Sequence, residues 1–118
     1  MTGDATDEPR VIYICHPFAS DPPRHQGTVR SICRRVVLEG HLPLAPQIML
    51  PAFLEETGER DRALRLCLRL VALADEVRVY GVPTEGMRLE VAEARRLGIP
   101  VLAGDKGAGM AITREPPR

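Results

Sequence analysis

The sequence predicts an α/β protein: a three-layer, open parallel sheet of four to five strands, flavodoxin- or Rossmann-like, with a strand order of about 2-1-3-4. Two observations predict it. Short apolar, β-branched runs alternate with segments of helical periodicity, and the connections between them are short. At 118 residues and 44 % hydrophobic, the chain can fill one modest core, so one domain over residues 10–104 is expected.

Each element follows from its own residues. MTGDATDEP (1–9) is polar and carries a proline, and is expected to be a flexible tail. RVIYIC (10–15) is a buried strand, followed by the Pro-rich loop HPFASDPPR (16–24). In HQGTVRSICRRVVLEG (25–40), Val29, Ile32, Cys33, Val36 and Val37 keep helical spacing, and Gly40 stands where a helix is capped. LPLAP (42–46) is a second strand closed by proline. QIMLPAFLEE (47–56), with its internal proline, predicts a short helix or an irregular lid. ERDRALRLCLRLVALA (59–74) is the longest helix. DEVRVYG (75–81) is a strand, VPTEG (82–86) a loop, MRLEVAEARRLG (87–98) a helix ending at a glycine, and IPVLAG (99–104) the last strand. The remainder, 105–118, is rich in glycine and proline and is expected to be a second flexible tail.

In such a sheet ligands bind beyond the carboxyl ends of the strands, where the winding direction reverses. That point lies between strands 1 and 3, flanked by the loops 16–24 and 82–86. Composition narrows what binds there. Sixteen basic and sixteen acidic side chains cancel and the pI is 6.8, which gives no electrostatic reason to expect a nucleic-acid polymer or an anionic membrane. With two Tyr, two Phe and no Trp there is no stacking platform for single strands. A small ligand is expected. Cys15, Cys33 and Cys67 are odd in number and unpaired in spacing, so they read as small buried hydrophobes in a reducing, cytoplasmic setting, with no zinc site, other metal or cofactor. The chain shows no charged and apolar leader and no run long enough to span a membrane.

Glu90 is the residue out of place. Met87, Glu90, Ala94 and Leu97 form one stripe of the 87–98 helix, the stripe expected to face the core. One reading is that an acid in the first turn complements the helix dipole, worth about 0.3–1 kcal/mol. The other is that Glu90 points into the switch-point cleft beside the amides of the Gly86 turn, which would keep it ionised. An ionised carboxylate in a half-dry cleft can stabilise an oxocarbenium-like sugar or attack its anomeric carbon.

TEGMRLEVAEARRLGIPVL (84–102) resembles the closing motif of the nucleoside 2-deoxyribosyltransferase-like superfamily: a hydroxyl residue, a glycine, a glutamate in the next helix, an alanine-rich turn and a GIPV-type strand. VIYICHPF resembles the opening strand and loop of the same superfamily. The middle, EGHLPLAPQIMLPAFLEETGERDR followed by LADEVRVYG, is similar to a small bacterial branch, and the resemblance spans about residues 11–103.

The resemblance implies a nucleophilic role for Glu90, which matches the glutamate that forms a covalent deoxyribosyl intermediate. It implies that Thr84 and Gly86 hold the 5′ end of a nucleoside or nucleotide, and that Tyr13, His16 and Phe18 contact base and sugar; Met87 joins them as a substrate-binding candidate. From the residues alone, Tyr13 can equally be a core aromatic, Phe18 a loop plug, and Thr84 and Gly86 turn and cap. His16 can protonate a leaving base or hydrogen-bond its own loop.

The chain also departs from the pattern. The superfamily places an aspartate in the helix before the third strand; Cys67 stands there, and no acid lies between Asp61 and Asp75. Asp21, His16 or a residue of a neighbouring subunit are the available substitutes, and Asp75 belongs to the opposite edge of the sheet. The 59–74 helix is apolar nearly all round, which predicts a homo-oligomer. The expected function is a nucleoside or nucleotide N-glycosidase or deoxyribosyltransferase; the alternative is a module that binds a nucleotide or phosphosugar without cleaving it.

Overall fold

The structure, a computed structural model, describes residues 8–18, 22–55, 58–104 and 110–111. Strand β1 (Val11–Cys15) leads to helix α1 (Pro22–Leu38), strand β2 (Leu42–Leu44) and the short helix α2 (Pro46–Met49), which runs on as a 3-10 turn at Leu50–Ala52. Helix α3 (Arg60–Val71), strand β3 (Glu76–Val79), helix α4 (Glu85–Arg96), strand β4 (Val101–Ala103) and the two-residue strand β5 (Met110–Ala111) complete the order.

The sheet order is β2-β1-β3-β4-β5. The first four strands are parallel in the predicted order 2-1-3-4, with Tyr13 opposite Leu44 on one side and Val77 on the other. β5 is antiparallel to β4, an addition within 105–118 that the Gly- and Pro-rich composition does not predict. Residues on β1 alternate between two cores. Ile12 and Ile14 pack with Val29, Ile32 and Val36 of α1. Tyr13 and Cys15 pack on the other face with Val71, Val77, Val79, Met87 and Ala94, beneath α3 and α4. Helices thus cover both faces, and the winding reverses between β1 and β3.

Helix starts differ from expectation for a local reason in each case. α1 begins at Pro22, three residues before the predicted His25, because proline lacks the N–H that a first turn leaves unpaired anyway. Pro46 likewise opens α2 instead of closing β2. α4 begins at Glu85 because Thr84 caps it: its Oγ1 accepts from the Met87 N–H at 3.2 Å. The stripe predicted on α4 is correspondingly shorter. Met87 and Ala94 are buried, whereas Leu97 lies past the helix end and is 40 % exposed.

Asp75 is structural, as its position implies. Its Oδ2 accepts from the Val11 N–H at 2.8 Å and ties the amino end of β1 to that of β3. The α1-side face of β3 carries the charged residues of EVRV, and they are buried. Glu76 and Arg78 are both buried; Arg78 meets Glu76 at 2.6 Å and Glu39 at 3.0 Å, and Arg10 meets Glu76 at 3.2 Å. Each buried charge is partnered, as burial requires. No helix among the described residues is long and apolar enough to cross a membrane.

Candidate active site

The carboxyl ends of β1 and β3 open on to a cavity of about 390 Å³, a small-molecule size. Two loops bound it, and one close contact holds them together. Gly81, with φ of 72°, brings the chain after β3 against Pro17, so that a Cβ there would stand 3.3 Å from the Pro17 ring.

Six of the seven predicted site residues line the cavity: His16, Phe18, Thr84, Gly86, Met87 and Glu90. Tyr13 does not. It is fully buried in β1, because its place in the alternation points it into the α3/α4 core, and its hydroxyl reaches the site only from beneath Glu90. Asp21 lies outside the described residues.

Glu90 is the sixth residue of α4, so it stands in the second turn and not the first. Its carboxyl is held by thiols, not by the amides of the Gly86 turn. The Cys15 thiol donates to Oε1 at 3.3 Å, and Cys67 of α3 adjoins the same carboxyl. The expectation of a fully ionised carboxylate is corrected with it. Burial pushes the Glu90 carboxyl up from 4.5 to about 7, and the Cys15 hydrogen bond, with the Tyr13 and Cys67 groups beside it, offsets only part of that rise. Near neutral pH the group is divided between acid and carboxylate. The two thiols move the other way from reactivity. Burial, with the Glu90 charge behind it, pushes Cys67 up to about 12 and Cys15 higher, so both keep their protons. The Tyr13 hydroxyl is likewise raised by burial first and by Glu90 second. That hydroxyl has no partner at hydrogen-bonding geometry in the structure, a buried donor beside the carboxyl.

His16 hydrogen-bonds its own loop and also faces the cavity. Its Nδ1 lies 2.6 Å from the Pro17 carbonyl, which can only accept, so Nδ1 carries the hydrogen; the ring also lines the cavity. It meets the His25 ring edge to face at 5.3 Å.

Several cavity residues carry no motif in the sequence. Gln47 is buried; its Nε2 donates to the carbonyls of Ile14 and His16 at 3.2 and 3.1 Å and so shapes the end of β1. Its Oε1 is buried without a partner. Leu50 and Leu54 supply apolar wall, and Arg60, Glu55 and Glu59 line the α3 side. Glu59 is engaged, accepting from the Glu55 N–H at 2.7 Å and meeting Arg62 at 3.6 Å. Cys15 was legible only as a buried hydrophobe; the signal for its role is that it shares a strand face with Tyr13. No described group of His, Cys, Asp and Glu side chains is arranged to hold a metal.

Residues 10–103 match a family described as a domain of unknown function, DUF7768. The chain belongs to the DUF7768 family. The match covers every strand from β1 to β4 and therefore every residue of the cavity. No curated protein matches the chain. Among solved structures, it is similar to a 2-deoxyribosyltransferase from the psychrotolerant bacterium Bacillus psychrosaccharolyticus, with a TM-score of 0.59 and 21 % identity over 79 % of this chain and 70 % of that one. At this identity the likeness establishes the fold of this DUF7768 member, which is that of the transferase.

Proposed function

We propose that this DUF7768 protein is a nucleoside or nucleotide N-glycosidase or deoxyribosyltransferase whose nucleophile is Glu90. The observation that carries the reading is a single carboxyl, largely buried and raised to about 7, facing a cavity of small-molecule size at the carboxyl ends of β1 and β3. The fold shared with a deoxyribosyltransferase supports it.

In the reaction the ionised Glu90 attacks the anomeric carbon, the C–N bond breaks with its electron pair going to the base, and a glycosyl ester forms on Glu90. Water or a second base then attacks the same carbon and releases the carboxylate, and the proton it gives up neutralises the departed base. A half-dry site favours this chemistry because the carboxylate loses its charge as the ester forms, which relieves the cost of burying it. The unpartnered Gln47 Oε1 is an acceptor for a ligand N–H or O–H, and Thr84 and Gly86 flank the sugar's 5′ end. A cytoplasmic setting agrees with the three free cysteines, and the partly exposed Leu66 and Leu73 of the 59–74 segment support a homo-oligomer.

Incubating the pure protein with deoxynucleosides, ribonucleosides and their monophosphates, and separating free base by chromatography, tests the proposal. Base release that Glu90→Gln abolishes is expected; no release across the panel above that control contradicts it.

A second reading has one observation of its own. Cys67, a thiol that keeps its proton, occupies the place where a second carboxylate would manage the leaving base. On that reading the cavity binds a nucleotide or phosphosugar and leaves it whole. A ligand that raises the melting temperature and is recovered intact would favour it.

A further inference from the structure

We propose that Cys15 is a positioning residue for Glu90: its thiol, as the donor to Oε1, fixes which carboxylate oxygen is left to meet a ligand. The proposal rests on the reading of Glu90 as the reacting group and adds a residue to it.

Cys15 is the last residue of β1 and has no exposed surface. Strand alternation puts it on the same face as Tyr13, directly under α4. Its sulfur lies 3.3 Å from Glu90 Oε1 and 3.9 Å from the Met87 carbonyl. A thiol has one hydrogen, so it serves one acceptor at a time, and the shorter contact is to Oε1. Burial keeps that hydrogen on the sulfur, so the direction of the bond is fixed as Cys15 to Glu90. With one oxygen held against the strand, the other is the one available to the cavity. An S–H is also a weak donor, which leaves the carboxyl close to neutral and ready to change charge.

The groups facing Glu90 are Tyr13 and Cys15 of β1 and Cys67 of α3. Across the cavity stand His16, Glu55, Glu59 and Arg60. Only Cys15 and Cys67 bring a thiol to the carboxyl, and Cys15 alone does so from the rigid strand.

The test is a carbon-13 NMR titration of the full chain labelled at glutamate carboxyls, with the Glu90 signal identified by its loss in Glu90→Gln. Cys15→Ser keeps a donor of nearly the same shape and strengthens it, so the Glu90 midpoint should fall by about half a pH unit or more; Cys15→Ala removes the donor, so it should rise by a similar amount. Midpoints that stay in place, or that move the same way in both variants, overturn the proposal, because loss of volume alone does not give opposite signs. This result is independent of turnover. If the nucleoside panel finds no substrate, the titration still decides whether Cys15 acts on Glu90. If it finds one, Cys15→Ala should lower kcat with KM little changed, and Cys15→Ser should restore it.

Discussion

Replacing Glu90 with glutamine should make the protein more stable, and increasingly so as the pH rises. In the folded chain the carboxyl titrates near 7, against an ordinary 4.5. Between those values the native state holds a proton that the unfolded chain has released. The unfolded state therefore binds fewer protons, and stability falls as pH rises through that window. The full rise corresponds to about 3 kcal/mol, present below 4.5 and lost above 7. Glutamine has nearly the same shape and never ionises. The two proteins should be close in stability at pH 4.5, and the variant should lead by about 2–3 kcal/mol at pH 8, on the order of 10 °C in Tm for a chain of this size. Urea unfolding of both proteins at half-unit pH steps measures it, and subtracting the curves removes every other titrating group. Parallel curves from pH 4.5 to 8 would refute the claim that a buried carboxyl is held near neutrality. The same substitution should abolish any base release, so that stability and activity move in opposite directions at one position.

Other consequences follow from the same geometry. Because the free protein must ionise Glu90 before attack, kcat/KM for any cleaved nucleoside should rise along an acid limb with a midpoint near 7; a limb near 4.5 would contradict the burial argument. Tyr13→Phe removes a buried hydroxyl that has no partner, so at pH 5, where Glu90 is protonated, unfolding should show no loss and a gain of up to about 1 kcal/mol. Gly104→Ala should cost about 1–3 kcal/mol in the same assay. Its Cβ would overlap the buried Tyr80 ring, and the Gly104 N–H is bonded to the Val79 carbonyl at 2.8 Å, which holds the backbone in place.

Much of the sheet was legible because parallel strands buried on both faces are continuous apolar runs, and VIYIC and VLA are such runs. Strand order followed from the alternation of strands and helices through short connections, and the position of the cavity followed from the order. What stayed hidden depends on neighbours distant in sequence. Nothing in EVRV shows that Glu76 and Arg78 are buried, because their partners Arg10 and Glu39 come from other elements. Helix starts at Pro22 and Glu85 were displaced because proline and Thr84 act as opening signals at positions that looked like loop. The environment of Glu90 was the largest gap. Helical spacing placed its side chain on the buried stripe. Only the register of β1 under α4 shows that Cys15, and not the amides of the Gly86 turn, meets it.

The central claim is that Glu90 becomes covalently attached to a sugar. Rapid acid quench of the protein with a cleaved deoxynucleoside, followed by mass spectrometry of the proteolysed chain, measures this directly. One deoxyribosyl group on the peptide containing Glu90, absent in Glu90→Gln, is the predicted result. Base release that continues undiminished in Glu90→Gln, or a sugar found on another residue, would contradict it.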